Sequence, residues 1–271
     1  MTVKKTRSSD LLWEARDKDG EKWFSSVISL YNFEAVKTTD EAVSSHLCKI
    51  LKNATRLNSE FLNKWAGFKV CTTLDFDRSW GLGSSSTLTY LIAEWAEVNA
   101  MMLHWKVSNG SGYDVATAMT GSPTIFFTTD EETSYTAIDW RPKFTKDLHF
   151  VHLGAKQDSA KAVKAYLKRG KARLKAVDTI TALTDEMQVV QDLDTFEDIC
   201  RRHNAAISEA TGLTCVADDA LADYDLGVIK PLGAWGGDFI LASGSDAAAV
   251  KAYFASKGLD TVLSYADIIG A

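Results

Sequence analysis

The segment SWGLGSSSTLTY, residues 79–90, sets Gly81, Leu82 and Gly83 and then Ser84, Ser85 and Ser86 just ahead of an apolar, helix-forming stretch. Glycines let a backbone approach a ligand closely, and the first turn of a helix carries N–H groups with no partner inside the helix. Together with the helix dipole those groups favour an anion, a phosphate chain above all, and serine hydroxyls add donors or a ligand for Mg²⁺. The competing reading makes one serine an N-cap. A cap uses one hydroxyl, whereas a run of serines follows the glycines here. No Lys-Ser/Thr pair follows, so the pattern is not the P-loop.

A second stretch, NGSGYDVATA at residues 109–118, carries Asp114 two residues after Ser111-Gly112 and ahead of small, helix-compatible residues. Turn preferences alone make such an Asp a turn-former more often than a catalyst. Facing a phosphate site, the same carboxylate would accept the proton of an attacking hydroxyl. A third stretch, KPLGAWGGDF at residues 230–239, places Gly233, Gly236 and Gly237 between two strand-like runs. One reading is a tight hairpin that needs positive φ, the other a close approach to a ligand or to the other lobe.

In this order the three stretches resemble the GHMP kinase superfamily, which includes galactokinase, homoserine kinase, and the mevalonate and phosphomevalonate kinases. The family's Pro-x-x-x-Gly-Leu-Gly-Ser-Ser-Ala loop is similar to DRSWGLGSSST from Gly81 through Ser85, and its Ser-Gly-x-Asp segment to Ser111, Gly112 and Asp114. Its C-terminal glycine loop is similar to Lys230, Gly233, Ala234, Gly236 and Gly237, and the run from Gly112 to Ala116 resembles that of the GYDIA subgroup.

The resemblance implies that ATP and Mg²⁺ are the cofactors, with Gly81 to Ser86 around the triphosphate and the C-terminal glycines on the nucleotide side. It implies Ser85 as the Mg²⁺ ligand, Asp114 as the base, and Ser111 and Gly112 in the acceptor pocket. Lys156 and Ser159 become candidates for holding an acidic substrate; a solvated helix face is the alternative for both. The implied fold is α+β and two-lobed: an N-terminal α/β lobe with the phosphate loop, a C-terminal ferredoxin-like lobe, and ligands in the cleft between them. The implied reaction is γ-phosphoryl transfer from ATP to an alcohol or phosphate oxygen of a small metabolite, with mevalonate or phosphomevalonate the best guess. A kinase for a sugar or homoserine, and a non-catalytic nucleotide-binding protein, are the alternatives.

The sequence departs from the family pattern in places. Asp77 stands where the family often has Pro, and Trp235 and Asp238 replace glycines of the third motif. The family's opening strand, with its lysine and carboxylate, has no counterpart in residues 1–30, so the expectation is a chain truncated at its N-terminus or begun at an internal methionine.

The elements that must position these residues are legible from periodicity. DLLWEAR, KWFSSVI and GFKVCTTLDF read as strands, and TTDEAVSSHLCKILKNA as an amphipathic helix behind a Thr-Asp cap. Leu88, Leu91, Ile92, Trp95 and Val98 predict one helical face from residue 85 to 98. SPTIFFTT and SYTAIDW are β-rich. RPKFTKD is the expected linker, giving lobes 1–143 and 144–271. Beyond it come the strand LHFVHLG, helical residues 158–210 broken near Gly170 and at 192–195, a strand-turn-strand, and the capped helix SDAAAVKAYFASKG. His149 and His152 point to opposite sheet faces, so no metal pair is expected there. The tryptophans read as core, with Trp80 the one beside the phosphate loop.

Composition narrows the partners. The 271 residues are 46% hydrophobic and 24% charged with a net charge of −6, which argues against broad nucleic-acid or anionic-membrane binding. Cys48, Cys71, Cys200 and Cys215 show no CxxC spacing and read as buried thiols of a reducing compartment. With no apolar leader or spanning run, the expectation is a cytoplasmic monomer or homodimer acting on a small molecule.

Overall fold

The computed structural model describes residues 1–63, 66–129, 132–154, 166, 171–233 and 238–269, with the backbone alone for 171–174. The chain divides into two compact units, Met1–Asp139 and Trp140–Ala271. The polar stretch expected to be the linker belongs to the second unit. Lys143–Asp147 form a 3₁₀ turn, Phe144 packs 5.0 Å from Phe196, and the Trp140 indole donates to Met187 O.

In the first unit, β1 (Thr2–Lys5), β2 (Asp10–Arg16), β3 (Lys22–Ser29), β4 (Glu34–Thr38) and β5 (Phe68–Thr73) form one sheet in the order β1-β5-β2-β3-β4. The β2–β5 pair is parallel and the rest are antiparallel. Residues 2–5, where no counterpart of the family's opening segment is legible, pair as β1 along β5. Strand β2 alternates as expected, with Leu11, Trp13 and Ala15 inward. Helix α1 (Glu41–Leu57) starts at Asp40, whose carboxylate accepts from Val43 N, and buries Leu47, Ile50 and Leu51. Burying each of those side chains stabilises the unit by about 1.5–3 kcal/mol.

Helix α2 (Ser84–Ala96) ends two residues earlier than the apolar face suggests. Glu97 turns left-handed, and both its N–H and that of Val98 bond back to Ala93 O, so Val98 lies past the stop. Asn99 then caps α3 (Ala100–Val107), a separate helix that the periodicity does not resolve. Helix α4 (Tyr113–Thr120) packs on α2, α3 and the hairpin β6 (Thr124–Thr128) with β7 (Thr133–Ala137).

The second unit holds β8 (Leu148–His152), α5 (Lys171–Val189), α6 (Leu193–Thr211), β9 (Ile229–Pro231), β10 (Phe239–Ser243), α7 (Ala247–Ser256), β11 (Val262–Ser264) and the short α8 (Tyr265–Ile269). Its sheet runs β11-β8-β10-β9, every pair antiparallel. A strand, helices, two strands, a helix and a strand in that order make the ferredoxin-like arrangement the resemblance implies. Of the expected helix 158–210, residues 158–165 and 167–170 lie outside the described residues.

Three of the cysteines are buried, while Cys71 on β5 is half-exposed. Among the described residues no helix is long and apolar enough to cross a membrane.

Candidate functional site

Strand β5 delivers the chain to a 3₁₀ turn, Arg78–Trp80. Asp77, at the position where the family often has proline, organises that turn: its Oδ1 accepts from Ser79 N at 2.9 Å and from Ser79 Oγ at 2.7 Å. Gly81 and Gly83 are then both left-handed, at φ 67° and 71°, which glycine adopts without a steric penalty. A side-chain carbon at Gly83 would meet nothing within 4 Å, so the space beside it is open to a ligand.

Gly83 is the N-cap of α2, and no side chain caps the helix. The serine-cap alternative is therefore overturned: Ser84, Ser85 and Ser86 are the first three helical residues. The contrast within the chain is informative. Asp40, Asn99, Asp192 and Asp246 cap α1, α3, α6 and α7 with their side chains. Helices α2 and α4 both begin at a left-handed glycine, Gly83 and Gly112, with no side-chain cap. These two uncapped N-termini coincide with the first and second sequence motifs, and α2 packs against α4. Uncapped N–H groups behind left-handed glycines suit an anionic ligand.

Of the serines, Ser85 has a side-chain partner. Its Oγ lies 3.1 Å from Nε2 of His46 on α1. Burial and the neighbouring Lys49 ammonium push His46 below its ordinary value, and in the tautomer that carries its hydrogen on Nδ1 the ring accepts a hydrogen bond from the Ser85 hydroxyl. Buried Thr89 donates to Ser85 O at 3.0 Å, fixing the backbone at the same residue. Leu82 is half-buried, and Ser84 and Ser85 are exposed. Arg78 stacks over Trp23 at 3.6 Å, beside a 420 Å³ recess lined by Asp17, Lys18, Asp19, Asp77, Arg78 and Ser79.

The second motif is held by His104 of α3, which is 7% exposed. Its Nε2 donates to Gly110 O at 3.0 Å, and its ring lies against Gly112, where an added side-chain carbon would come 3.1 Å from Cδ2 and 2.7 Å from the Met101 methyl. Gly112 is left-handed at φ 93°. Ser111 and Asp114 are exposed, and Asp114 is in the first turn of α4. The protein packed behind its carboxyl pushes Asp114 above the ordinary carboxylate range, with Tyr113 and the charge of His104 partly opposing. A raised value brings a carboxylate closer to the range in which a general base is effective.

His46 and His104 were missed in the sequence. Each acts through a tertiary contact, and a lone histidine in a helix gives no signal of it. In the second unit, Gly233 follows β9 in a left-handed conformation at φ 66°. Lys230 Nζ sits 3.4 Å from His203 Nδ1, and burial lowers both. Ala234, Gly236, Gly237, Trp235, Lys156 and Ser159 lie outside the described residues. No group of metal-binding His, Cys, Asp and Glu side chains occurs among the described residues, and a serine-based Mg²⁺ site is of a different kind.

No protein-family model matches the chain, and no curated protein matches it by sequence. Solved structures do. The mevalonate kinase of Methanococcus jannaschii aligns over 96% of this chain and 86% of its own, at a TM-score of 0.67 and 15% identity. A Streptococcus pneumoniae phosphomevalonate kinase in complex with phosphomevalonate and AMPPNP aligns over 97% and 89%, at 0.61 and 14%. A mevalonate diphosphate decarboxylase from Legionella pneumophila aligns over 96% and 86%, at 0.53 and 17%. All three are members of the GHMP superfamily, and the chain has their fold.

Proposed function

We propose that the chain is an ATP-dependent, Mg²⁺-requiring small-molecule kinase of the GHMP type, acting on an alcohol or phosphate oxygen, with mevalonate or phosphomevalonate the favoured acceptor. The observation that carries this reading is the start of α2. Two left-handed glycines, open space beside Gly83 and an uncapped first turn bearing consecutive serines fit a triphosphate. Helices α1, α3, α6 and α7 are each capped by an Asp or Asn side chain, and the start of α2 has no such cap, which leaves its first-turn N–H groups for a ligand.

Each residue then has a task. The N–H groups of the first turn of α2 and the hydroxyls of Ser84 and Ser86 hold phosphate oxygens, and Ser85 offers its oxygen to the cation. Bound Mg²⁺ supplies neutralisation of the charge on the transferring phosphoryl group. Gly112 brings the backbone of the second motif close, and Ser111 orients the acceptor. Asp114 takes the proton of the acceptor hydroxyl. Rate enhancement comes chiefly from positioning and charge compensation, since a loose phosphoryl-transfer transition state asks little covalent chemistry of the protein.

The acceptor assignment draws on the neighbours, among them structures holding phosphomevalonate with AMPPNP and MVAPP with AMPPCP and magnesium. The test is a panel of mevalonate, phosphomevalonate, mevalonate diphosphate, homoserine and galactose with ATP and Mg²⁺, following both ADP and the acceptor product. Phosphorylation of mevalonate or phosphomevalonate supports the proposal. Carbon dioxide released from mevalonate diphosphate assigns decarboxylation instead, and transfer to homoserine or galactose moves the acceptor outside the mevalonate series.

A further inference from the structure

We infer that His46 is a positioning residue that orients the Ser85 hydroxyl toward the cation, an inference that rests on the phosphate and Mg²⁺ reading of α2. The geometry singles out one serine of the run. Ser85 Oγ lies 3.1 Å from His46 Nε2, while its carbonyl accepts from Thr89 Oγ1 at 3.0 Å, so the residue is held at both ends. His46 is itself held in place. Two residues before it, Ser44 Oγ meets Ser26 Oγ of β3 at 2.9 Å in a buried contact, and three residues after it Lys49 Nζ donates to Val107 O at 2.8 Å. Leu47, Ile50 and Leu51 anchor the same helix in the core of the first unit. The imidazole is therefore presented from a fixed helix to a residue on the open first turn of another.

The chemistry gives that contact a use. A hydroxyl bound to a divalent cation keeps its proton and becomes a stronger donor, and it then needs an acceptor on the side away from the metal. With its hydrogen on Nδ1, His46 Nε2 is such an acceptor, and a Ser85 hydroxyl that donates to it keeps its oxygen lone pairs for the cation. Outer partners of this sort typically change metal affinity about 10- to 100-fold when removed. A purely structural role is a poor explanation, because α1 is already fixed by its apolar face and one exposed hydroxyl–imidazole bond adds only about 1 kcal/mol.

The test is calorimetric titration of the full chain with ATP, with and without Mg²⁺, for the unaltered protein and for His46→Ala, His46→Asn, His46→Gln, Ser85→Ala and the His46→Ala/Ser85→Ala pair. His46→Ala and His46→Asn, the latter too short to reach Ser85, should reduce the Mg²⁺-dependent gain in ATP affinity about 10- to 100-fold, with Mg²⁺-free binding within about 2-fold of the parent. His46→Gln, whose amide reaches as far as Nε2, should restore most of the gain. In the Ser85→Ala background, removing His46 should add nothing. The inference is overturned if the Mg²⁺-dependent gain survives in His46→Asn, if Mg²⁺-free and Mg²⁺-bound affinities fall together, or if the two substitutions are additive. An unaltered chain that binds no ATP under either condition overturns the nucleotide reading itself, and the inference with it.

Discussion

Replacing Gly83 by alanine separates a glycine kept for the turn from a glycine kept for a ligand. The backbone is left-handed at φ 71°, ψ 25°, and a methyl group there meets nothing within 4 Å. Stability should therefore fall only by the cost of a left-handed non-glycine residue, about 1–2 kcal/mol. For a protein of this size that lowers Tm by roughly 2–4 °C per kcal/mol. Binding should fall by more than stability does. The methyl stands in the space through which phosphate oxygens would reach the first-turn N–H groups, and losing two charge-assisted hydrogen bonds costs about 3 kcal/mol or more. ATP affinity should drop at least about 100-fold. Gly83→Val should abolish binding, since a branched side chain fills more of that space and restricts the backbone further.

Gly258 is the control, since it is left-handed at φ 75°, has equally open surroundings, and follows α7 in the second unit. Gly258→Ala should lower Tm comparably and leave ATP binding intact. Calorimetry and thermal melts on the same preparations decide the matter. If Gly83→Ala matches Gly258→Ala in both readouts, the loop is a turn and the phosphate reading of α2 is wrong.

Three further substitutions probe the rest of the account. Asp114→Asn should lower turnover by roughly 10²–10⁴ with ATP affinity nearly unchanged. Because the folded carboxyl is raised above its unfolded value, its ionisation costs stability as pH climbs through the folded pKa, so the Asn variant should melt no lower than the parent at neutral pH. A lower Tm with unchanged turnover would make Asp114 a turn-former. Gly112→Ala faces both a φ of 93° and the His104 ring, which is tied to Gly110 O; the Met101 methyl can swing aside but the ring cannot. It should cost about 2 kcal/mol or more, and a melt equal to that of the parent would contradict the packing described. His203 is depressed from 6.5 to about 4 by burial and by Lys230, so its contribution to stability is present above pH 6.5 and is lost as pH falls toward 4. His203→Gln should flatten the fall of Tm across that window, and an unchanged slope would place the acid sensitivity elsewhere.

The parts of the fold carried by local pattern were readable in advance. Alternation in DLLWEAR and KWFSSVI became β2 and β3, and the Asp40 cap with its apolar stripe became α1. The glycine-serine and Ser-Gly-x-Asp stretches marked two helix starts that have a left-handed glycine and no side-chain cap, because glycine and serine leave a visible trace in composition. What was not readable depends on the third dimension. The end of α2 is set by Glu97 turning left-handed, a conformation that side-chain periodicity does not encode. Phe144 draws a polar, linker-like stretch into the second unit because its ring finds Phe196 some fifty positions along the chain. The contact between His46 and Ser85 spans 39 residues, and nothing in either local sequence announces it.

The most direct test of the central claim follows γ-labelled ATP, with and without Mg²⁺, in the presence of mevalonate and of phosphomevalonate, with Asp114→Asn alongside. The account expects label to appear on one of the two acceptors, only when Mg²⁺ is present, and about 10²–10⁴ times more slowly in the Asn variant. ATP bound tightly with no label moving to either acceptor would contradict it.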